Sequence, residues 1–532
     1  MIHFVPAWYN PDRPWYSTDS VWFRSTTRSQ ADDTVTQLRV FQQGKEDVGL
    51  VVLNYAPTLR RFLHAEGVFD VPYWSFFDEV QGLDDDYTRP VDFLSLDWPD
   101  DVSFFYNPFV VTVMQDDEVY ARVYLAREGT LLAVRYYGSG MPTLQRIFDD
   151  RGFLSSVLMH DEKGRPVTQY YLSRTGDVIV SEDVPSGRVD IVQNAEGRFA
   201  NPSYDSWEAL IDELLRVHLR EHRGGTGPGG TPTVVLALSE QHNALVASAL
   251  SDETLVLSRC PSRRADASNE LLRRAGALFA DVGQSDVDLA DRAQEWTSLP
   301  ELSIYPLERR PTFGASANES EIYISLFVDD ITTDELDYAI AAMAGQLGDE
   351  RTRLLVCTFR SQDLEYLRDV RRVISGYQHL DLAFLGDDDL ARLSVDVGVA
   401  EGPEEKIQLT FLDREAELIR TMARSRVLVD LGAPVNYHLA TEAVNAGVPQ
   451  INRYEHDLVT HPINGYVIGD DDVIDGAELA TALDYFLVGL EHWNASLVQC
   501  RVLQDLFRAQ EVLSRWDLVK EGAAYAGPAG RA

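Results

Sequence analysis

The sequence predicts an α/β chain of two doubly wound domains, the first interrupted by an antiparallel, β-rich insert. Three observations carry this. Short apolar runs of the kind buried inside parallel sheets alternate with helical segments towards both ends of the chain. Between residues 93 and 203 the pattern becomes an alternation of β-branched and aromatic residues with polar ones, broken by turn dipeptides. And 532 residues are too many for one hydrophobic core.

The first strand, Ile2–Pro6, runs into an aromatic, proline-rich loop with Trp8, Tyr9, Pro11, Pro14, Trp15, Tyr16, Trp22 and Phe23. In a doubly wound sheet this loop leaves the carboxyl end of its strand, the side on which ligands bind. Aromatic rings beside Asn10, Asp12, Arg13 and Arg24 suit stacking on sugars and bonding of their hydroxyls, and Trp8, Tyr9, Trp15 and Arg24 are the candidates here. A loop that packs its own rings onto the domain explains the same composition. Val35, Leu38 and Phe41 stand at helical spacing and predict a helix over Asp32–Phe41. Leu50–Leu53 is the second strand. Pro57–His64 is a short basic helix whose Arg60 and Arg61 read as surface arginines.

FVVTVMQDDEVYARVYLAREGTLLAVRYYGSG and SSVLMHDEKGRPVTQYYLSRTGDVIVSED are runs of hairpins, turning at Gln115–Asp117, Glu128-Gly129, Lys163-Gly164 and Thr175-Gly176. This meander holds no catalytic trio and offers a platform for an extended polypeptide or a partner's sheet edge. Trp207–Glu221 is a helix with Leu210, Ile211, Leu214, Leu215 and His218 on its apolar side. HRGGTGPGGTPT then precedes a strand instead of following one, so it is a flexible connector and not a phosphate-cradling loop. Val234–Leu238, a helix near His242–Leu250 and Thr254–Leu257 resume the first domain. Asn269–Ala280 and Asp286–Trp296 are expected as helices, and Ser303–Asn318, with Pro306, Pro311 and Gly314, as the interdomain linker.

The second domain opens at Ile322–Leu326. It continues with a helix (Thr333–Leu347), Leu354–Thr358, a helix (Asp363–Val373), a short strand near Leu382–Leu385, Ile407–Phe411 and a helix near Arg414–Ala423. Helices over Ala477–Trp493 and Ser496–Trp516 follow. Its most informative stretch is Arg426–Gln450, RVLVDLGAPVNYHLATEAVNAGVPQ. Val427–Val429 is a buried strand, Asp430–Tyr437 a loop, and a helix runs to about Ala446, stopped by Gly447 and Pro449. A helix start beyond the carboxyl end of such a strand presents unpaired N–H groups and partial positive charge, which suits a diphosphate.

Glu442-Ala443 followed by Gly447-Val448-Pro449 resembles the donor-site helix of retaining GT-B glycosyltransferases, enzymes of two Rossmann-like domains. The resemblance implies a second glutamate eight positions earlier, where this chain has Pro434. It also implies cations in and beyond the loop after the domain's first strand, which here reads Phe327-Val328-Asp329-Asp330-Ile331-Thr332. Carboxylates near a diphosphate cost about a kcal/mol or more per close pair. Asn436, His438, Glu442, His461 and Asn464 remain as groups to bond a glycan around this crevice, with packing and helix capping as their structural alternative. Arginines brought from elsewhere to the cleft beside Glu442 would instead mark a working donor site.

Composition narrows the functions. Lys and Arg number 47 against 85 Asp and Glu, a net charge of −38 that disfavours nucleic-acid backbones and anionic membrane surfaces as partners. Cys260, Cys357 and Cys500 are odd in number and lack CxxC spacing, so neither a disulfide framework nor a zinc site is expected. Asp84-Asp85-Asp86, Asp387-Asp388-Asp389 and Asp470-Asp471-Asp472 sit at turns and miss the calcium-loop spacing, so no metal is expected. The N-terminus lacks a secretory pattern, and no apolar run approaches the roughly 20 residues that span a bilayer, which points to the cytoplasm and to no direct membrane span.

Longer stretches point to a family. FVPAWYNPDRPWY, DDTVTQLRVF, LNYAPTLRRFLHAEGVFDVPYWSFFDEVQG, FDDRGFLSSV, VNAGVPQIN, NGYVI, and the pair WNASL and RW run in order from about residue 3 to 516. Together they resemble the accessory Sec system secretion proteins, the first of three Asp-type subunits. The resemblance implies an α/β, GT-B-like fold: a first Rossmann-like domain in two parts (1–92 and 204–305), the β-rich insert (93–203), a second Rossmann-like domain (306–495), and a C-terminal helix packing back on the first domain with a disordered tail (496–532). It implies no catalytic residue, no cofactor, and glycan binding in place of transfer. The partners implied are two sister Asp-type proteins, a second SecA motor and a serine-rich repeat glycoprotein precursor. The protein would be cytoplasmic, or peripheral at the membrane through the translocon complex. The alternative is an active cytoplasmic GT-B glycosyltransferase using UDP-GlcNAc.

Overall fold

The computed structural model describes residues 2–10, 13–17, 32–83, 88–89, 91–107, 110–126, 129–194, 197–221, 232–259, 267–280, 301–302, 306–361, 363–377, 406–412, 415–432, 435–469 and 474–520. Its contacts divide the chain into two compact units. One is Met1–Ser25, Gln37–Ser258 and Ala265–Ala277, the other Thr26–Thr36, Arg259–Arg264 and Leu278–Ala532.

In the first unit Ile2–Val5 pairs in parallel with Thr233–Ala237 on one side and Val48–Val52 on the other. All three strands are buried along their length, as their mostly apolar runs require. Tyr73–Ser75 forms one edge of this seven-stranded sheet, and Thr254–Arg259, Ala275–Ala280 and Glu301–Leu302 extend it the other way. The order therefore reverses between Ile2–Val5 and Thr233–Ala237. The helix expected over Asn269–Ala280 is corrected: Asn269–Arg274 is helical and Ala275–Ala280 is a strand. AGALFA is apolar throughout, so it carries no period, and the sheet beside it decides. The helix expected over 286–296 lies outside the described residues.

The insert is one ten-stranded antiparallel sheet in chain order, from Ser103–Tyr106 to Ser203–Tyr204. Its hairpins turn where the sequence places them. Asp116 and Asp117 hold φ of 47° and 63°, the two left-handed residues that a tight hairpin takes. Alternate residues Val111, Val113, Ala121 and Val123 build its core.

Buried charge ties the insert to the parallel sheet. Arg60 is no surface arginine: its side chain is 17% exposed and bridges Asp78, Asp149 and Asp150. Arg151 Nε donates to Asp149 and its Nη2 to Asp78, both at 2.8 Å. Burial pushes the Asp78 and Asp150 carboxyls up, and the Arg60 guanidinium opposes it at both. The turn that carries Arg151 needs Gly152, at φ +86°, because a Cβ there would lie 1.5 Å from the Arg89 carbonyl oxygen.

The second unit holds six parallel strands: Ile407–Phe411, Thr352–Thr358, Ile322–Phe327, Ser425–Asp430, Gln450–Asn452 and Gly465–Val467, in that spatial order. This is the 3-2-1-4-5-6 arrangement of a dinucleotide-type fold, reversing between Ile322–Phe327 and Ser425–Asp430. The short strand expected at 382–385 lies outside the described residues, as do 521–532. The helix expected over Ala477–Trp493 is corrected. Gly476–Leu487 and Glu491–Leu506 are separate because Gly489 holds φ +88° between them, and Ala509–Lys520 is a third helix. Thr333–Leu347 likewise divides at Met343 into Thr333–Ala342 and Ala344–Leu347. Among the described residues no helix is long and apolar enough to cross a membrane.

Replacing Arg151 by Met leaves the Asp149 and Asp78 carboxylates short of a buried partner. The urea midpoint should fall, with a loss of about 3–5 kcal/mol in the first unit. Arg188→Met, which breaks the exposed pair with Asp190, should cost less than about 1 kcal/mol.

Candidate functional site at the second switch point

Ligands of open α/β sheets bind where the strand order reverses, beyond the carboxyl ends. In the second unit those ends are Phe327 and Asp430. Asp430 terminates a fully apolar run and is 1% exposed. Its carboxylate accepts the backbone N–H of Gly432 at 3.1 Å and of Asn436 at 2.7 Å. Burial pushes this carboxyl up to about 7; the two N–H groups oppose that, and Asp330 and Asp329 add to it. Asp329 accepts from the Thr358 hydroxyl and from the Phe359 N–H, the latter at 2.8 Å, and burial raises it as well.

Both helix starts at this crevice are filled from within the chain. Thr332 caps Thr333–Ala342, and Glu335 reaches back to accept the Thr332 N–H at 2.8 Å, completing a capping box. Arg453 donates to that same Glu335 at 2.8 Å. Asn436 caps Tyr437–Ala446 by accepting the Leu439 N–H at 3.1 Å. Arg360 donates to the Asp329 carbonyl at 2.7 Å and lies over the Tyr366 ring.

Glu442, one turn into that helix, is buried and gripped by Arg310, whose Nη1 and Nη2 donate to its two oxygens, the second at 2.9 Å. Asn445 adds a bond at 3.3 Å. Burial pushes the Glu442 carboxyl up to about 7 against the pull of Arg310. Arg310 comes from the segment read as an interdomain linker, and that segment lies along the helix. The Glu308 N–H donates to Asn445 Oδ1, and the Gly314 N–H to the Ala446 carbonyl, both at 2.8 Å. Gly447, at φ +75°, ends the helix in a left-handed cap, and a Cβ there would stand 2.7 Å from Leu497. An arginine from elsewhere does reach Glu442, then, but both its terminal nitrogens are taken by the carboxylate itself.

His438 is half-buried beside Phe359. Burial, with Arg310 adding to it, lowers its imidazole to about 4, so the ring is neutral, and Nε2 has no hydrogen-bond partner among the described residues. Asn436 and His438 thus flank the crevice with Glu442 just behind. Asn464 is placed differently from the sequence reading. It immediately precedes the strand Gly465–Val467, at the amino end of the parallel sheet and opposite the crevice, and its amide staples its own turn through Thr460 and Leu458. His461 is exposed, and its Nδ1 accepts the Val467 N–H at 3.1 Å.

The aromatic candidates stand in the first unit. Trp15 is 3% exposed and its indole donates to Glu208 at 2.7 Å, while Trp8 is 9% exposed with its ring edge on Phe62. Tyr9 meets His242 Nδ1 at 2.5 Å, and His242 Nε2 lies 2.7 Å from the Ala237 carbonyl oxygen at the first switch point. A carbonyl only accepts, so Nε2 carries a proton. The loop spends these rings on its own domain. Arg24, Pro434 and the three aspartate triplets lie outside the described residues. Sequence reasoning missed Arg310, Glu335 and the role of Asp430. An acid closing a buried strand is a readable signal for Asp430; Arg310 gives none, because its partner is 132 positions away.

Arg310→Met should strand the buried Glu442 and cost about 3–5 kcal/mol, and adding Glu442→Leu should restore most of it, both read from urea midpoints. Asp430 has a raised folded-state pKa, so its contribution is complete below the unfolded value and is lost as pH rises through about 7. Between about pH 4 and 7 the urea midpoint should fall, by the equivalent of a few kcal/mol at most, and Asp430→Asn should flatten that part of the slope.

The family of the first Asp protein of the accessory Sec system matches residues 1–522. The chain is 26% identical over 540 residues to the family's protein from Staphylococcus aureus (strain NCTC 8325 / PS 47), covering 98% of this chain and 99% of the relative. It is similar to a chain of the Glycosylation Associate Protein (Gap123) complex from Streptococcus agalactiae, with 25% identity, a TM-score of 0.78, and 98% and 100% of the two chains covered. At 12% identity and a TM-score of 0.68, over 98% of both chains, it shares the fold of the pneumococcal O-GlcNAc transferase GtfA, solved with UDP and GlcNAc. The architecture is that of GT-B glycosyltransferases, and the chain belongs to the accessory Sec system family made up of the first of the Asp proteins.

Proposed function

We propose that this chain is a non-catalytic, glycosyltransferase-like component of the accessory Sec system. It recognises serine-rich repeat glycoprotein cargo through the glycan and acts with two sister subunits and a second SecA motor. The observation that carries this reading is the second crevice, where the N–H groups suited to a donor diphosphate already bind Asp430, Glu335 and Asn436. Asp329 and Asp330 border the same place, and each close carboxylate–phosphate pair costs about 4 kcal/mol at the effective dielectric of a protein surface. Glu442 holds Arg310 and is not free for a ribose. Neutral glycan hydroxyls meet no such penalty, and Asn436, only part-buried at the helix start, offers them its amide. The sister-subunit assignment draws on the family and on the Gap123 assembly to which a similar chain belongs.

Calorimetry on the full chain separates the readings. GlcNAc-modified serine-rich repeat peptide should bind, and Asn436→Ala should weaken it by roughly 3- to 10-fold, the worth of one hydrogen bond. UDP and UDP-GlcNAc should give no binding heat. Release of UDP from UDP-GlcNAc in the presence of an unmodified repeat peptide would establish the active transferase instead.

A further inference from the structure

The first unit carries an open cavity of about 450 Å³, lined by Phe69, Asp70, Tyr73, Trp74, Asp78, Glu79 and Arg151. Its volume falls in the range of small-ligand sites. It lies along Tyr73–Ser75, the last strand of the seven-stranded sheet. Leu50 stands opposite Tyr73 and its N–H donates to the Pro72 carbonyl. In a parallel ladder that bond turns the Tyr73 main-chain groups away from Val48–Val52, towards the open edge.

The lining has a definite chemistry. Asp78 is fixed by Arg60 and Arg151, whereas Asp70 and Glu79 are exposed and form no ion pair among the described residues. Trp74 and Phe69 each have one face stacked on a histidine, His218 at 4.4 Å and His64 at 4.6 Å, so both rings are held in place. Two exposed carboxylates, Asp70 and Glu79, beside two fixed aromatic rings favour a planar cation over an anion or an apolar chain. The net charge of −38 draws such a partner in.

We propose that this edge docks a basic, extended segment of a partner protein, which adds a strand along Tyr73–Ser75 and places an arginine in the cavity against Asp70, Glu79 and the Trp74 ring. The test uses the full chain and the peptide acetyl-Thr-Val-Thr-Arg-Val-Thr-Val-amide, with a twin carrying citrulline, which keeps the shape and removes the charge. The arginine peptide should bind, and the citrulline twin at least roughly tenfold more weakly, as the loss of a charge-assisted bond implies. Asp70→Asn/Glu79→Gln, both at exposed positions, should weaken the arginine peptide by a similar factor, while Asp117→Asn/Glu118→Gln on the insert should not. N-methylation of the valine after the arginine should abolish binding. No binding, equal binding of the twin, equal weakening by the distant pair, or indifference to N-methylation would each overturn the proposal.

Discussion

Backbone N–H groups converge at the switch point of an open parallel sheet, and something negative must sit against them. In the second unit that partner is Asp430. Its two bonds hold the backbone of Gly432 and of Asn436, and Asn436 then caps the helix that carries His438 and Glu442. Glu442 in turn fixes Arg310, and with it the segment running along the helix from Glu308 to Gly314. Each step is a short, mostly buried polar contact, and each leaves the next group in a single orientation. An external anion would have to displace the first of them.

The first unit's switch point is arranged differently. There Tyr9 is bonded to His242, which in turn meets the Ala237 carbonyl, and the indole of Trp15 is spent on Glu208. Charge is placed instead at the join with the insert, where Arg60 and Arg151 face Asp78, Asp149 and Asp150. Such a cluster contributes little net stability compared with a well-packed apolar join, but its loss on one side leaves buried charge unpaired.

Periodicity made the architecture legible. Buried runs such as VLVD and TVVLA, and hairpins such as the one turning at Asp116-Asp117, report burial and turn chemistry locally. What failed lacked a local signal. AGALFA reads equally as helix or strand, and the helix break at Gly489 hides among apolar neighbours. Arg60 looks like any surface arginine until the aspartates 89 and 90 positions later fold onto it. Asn464 was assigned to the crevice by its company in a loop, and only strand direction shows that it lies at the other end.

On the proposed function, the internal carboxylates also select. A carboxylate or a capped amide accepts from a sugar hydroxyl as well as any neutral group does, so a crevice edged by Asp329, Asp330 and Asp430 is not a poor glycan surface. It is a poor surface for the same sugar attached to a diphosphate. A scaffold descended from nucleotide-sugar chemistry that retained its diphosphate affinity would be occupied by the soluble donor and closed to the glycoprotein. Filling the anion positions with the chain's own side chains removes that competitor while leaving the neutral part of the ligand acceptable, a discrimination achieved by repulsion more than by added contacts. On that proposal, loss of donor chemistry and selectivity for cargo would be one change in charge, made at the two places where Glu335 and Asp430 sit.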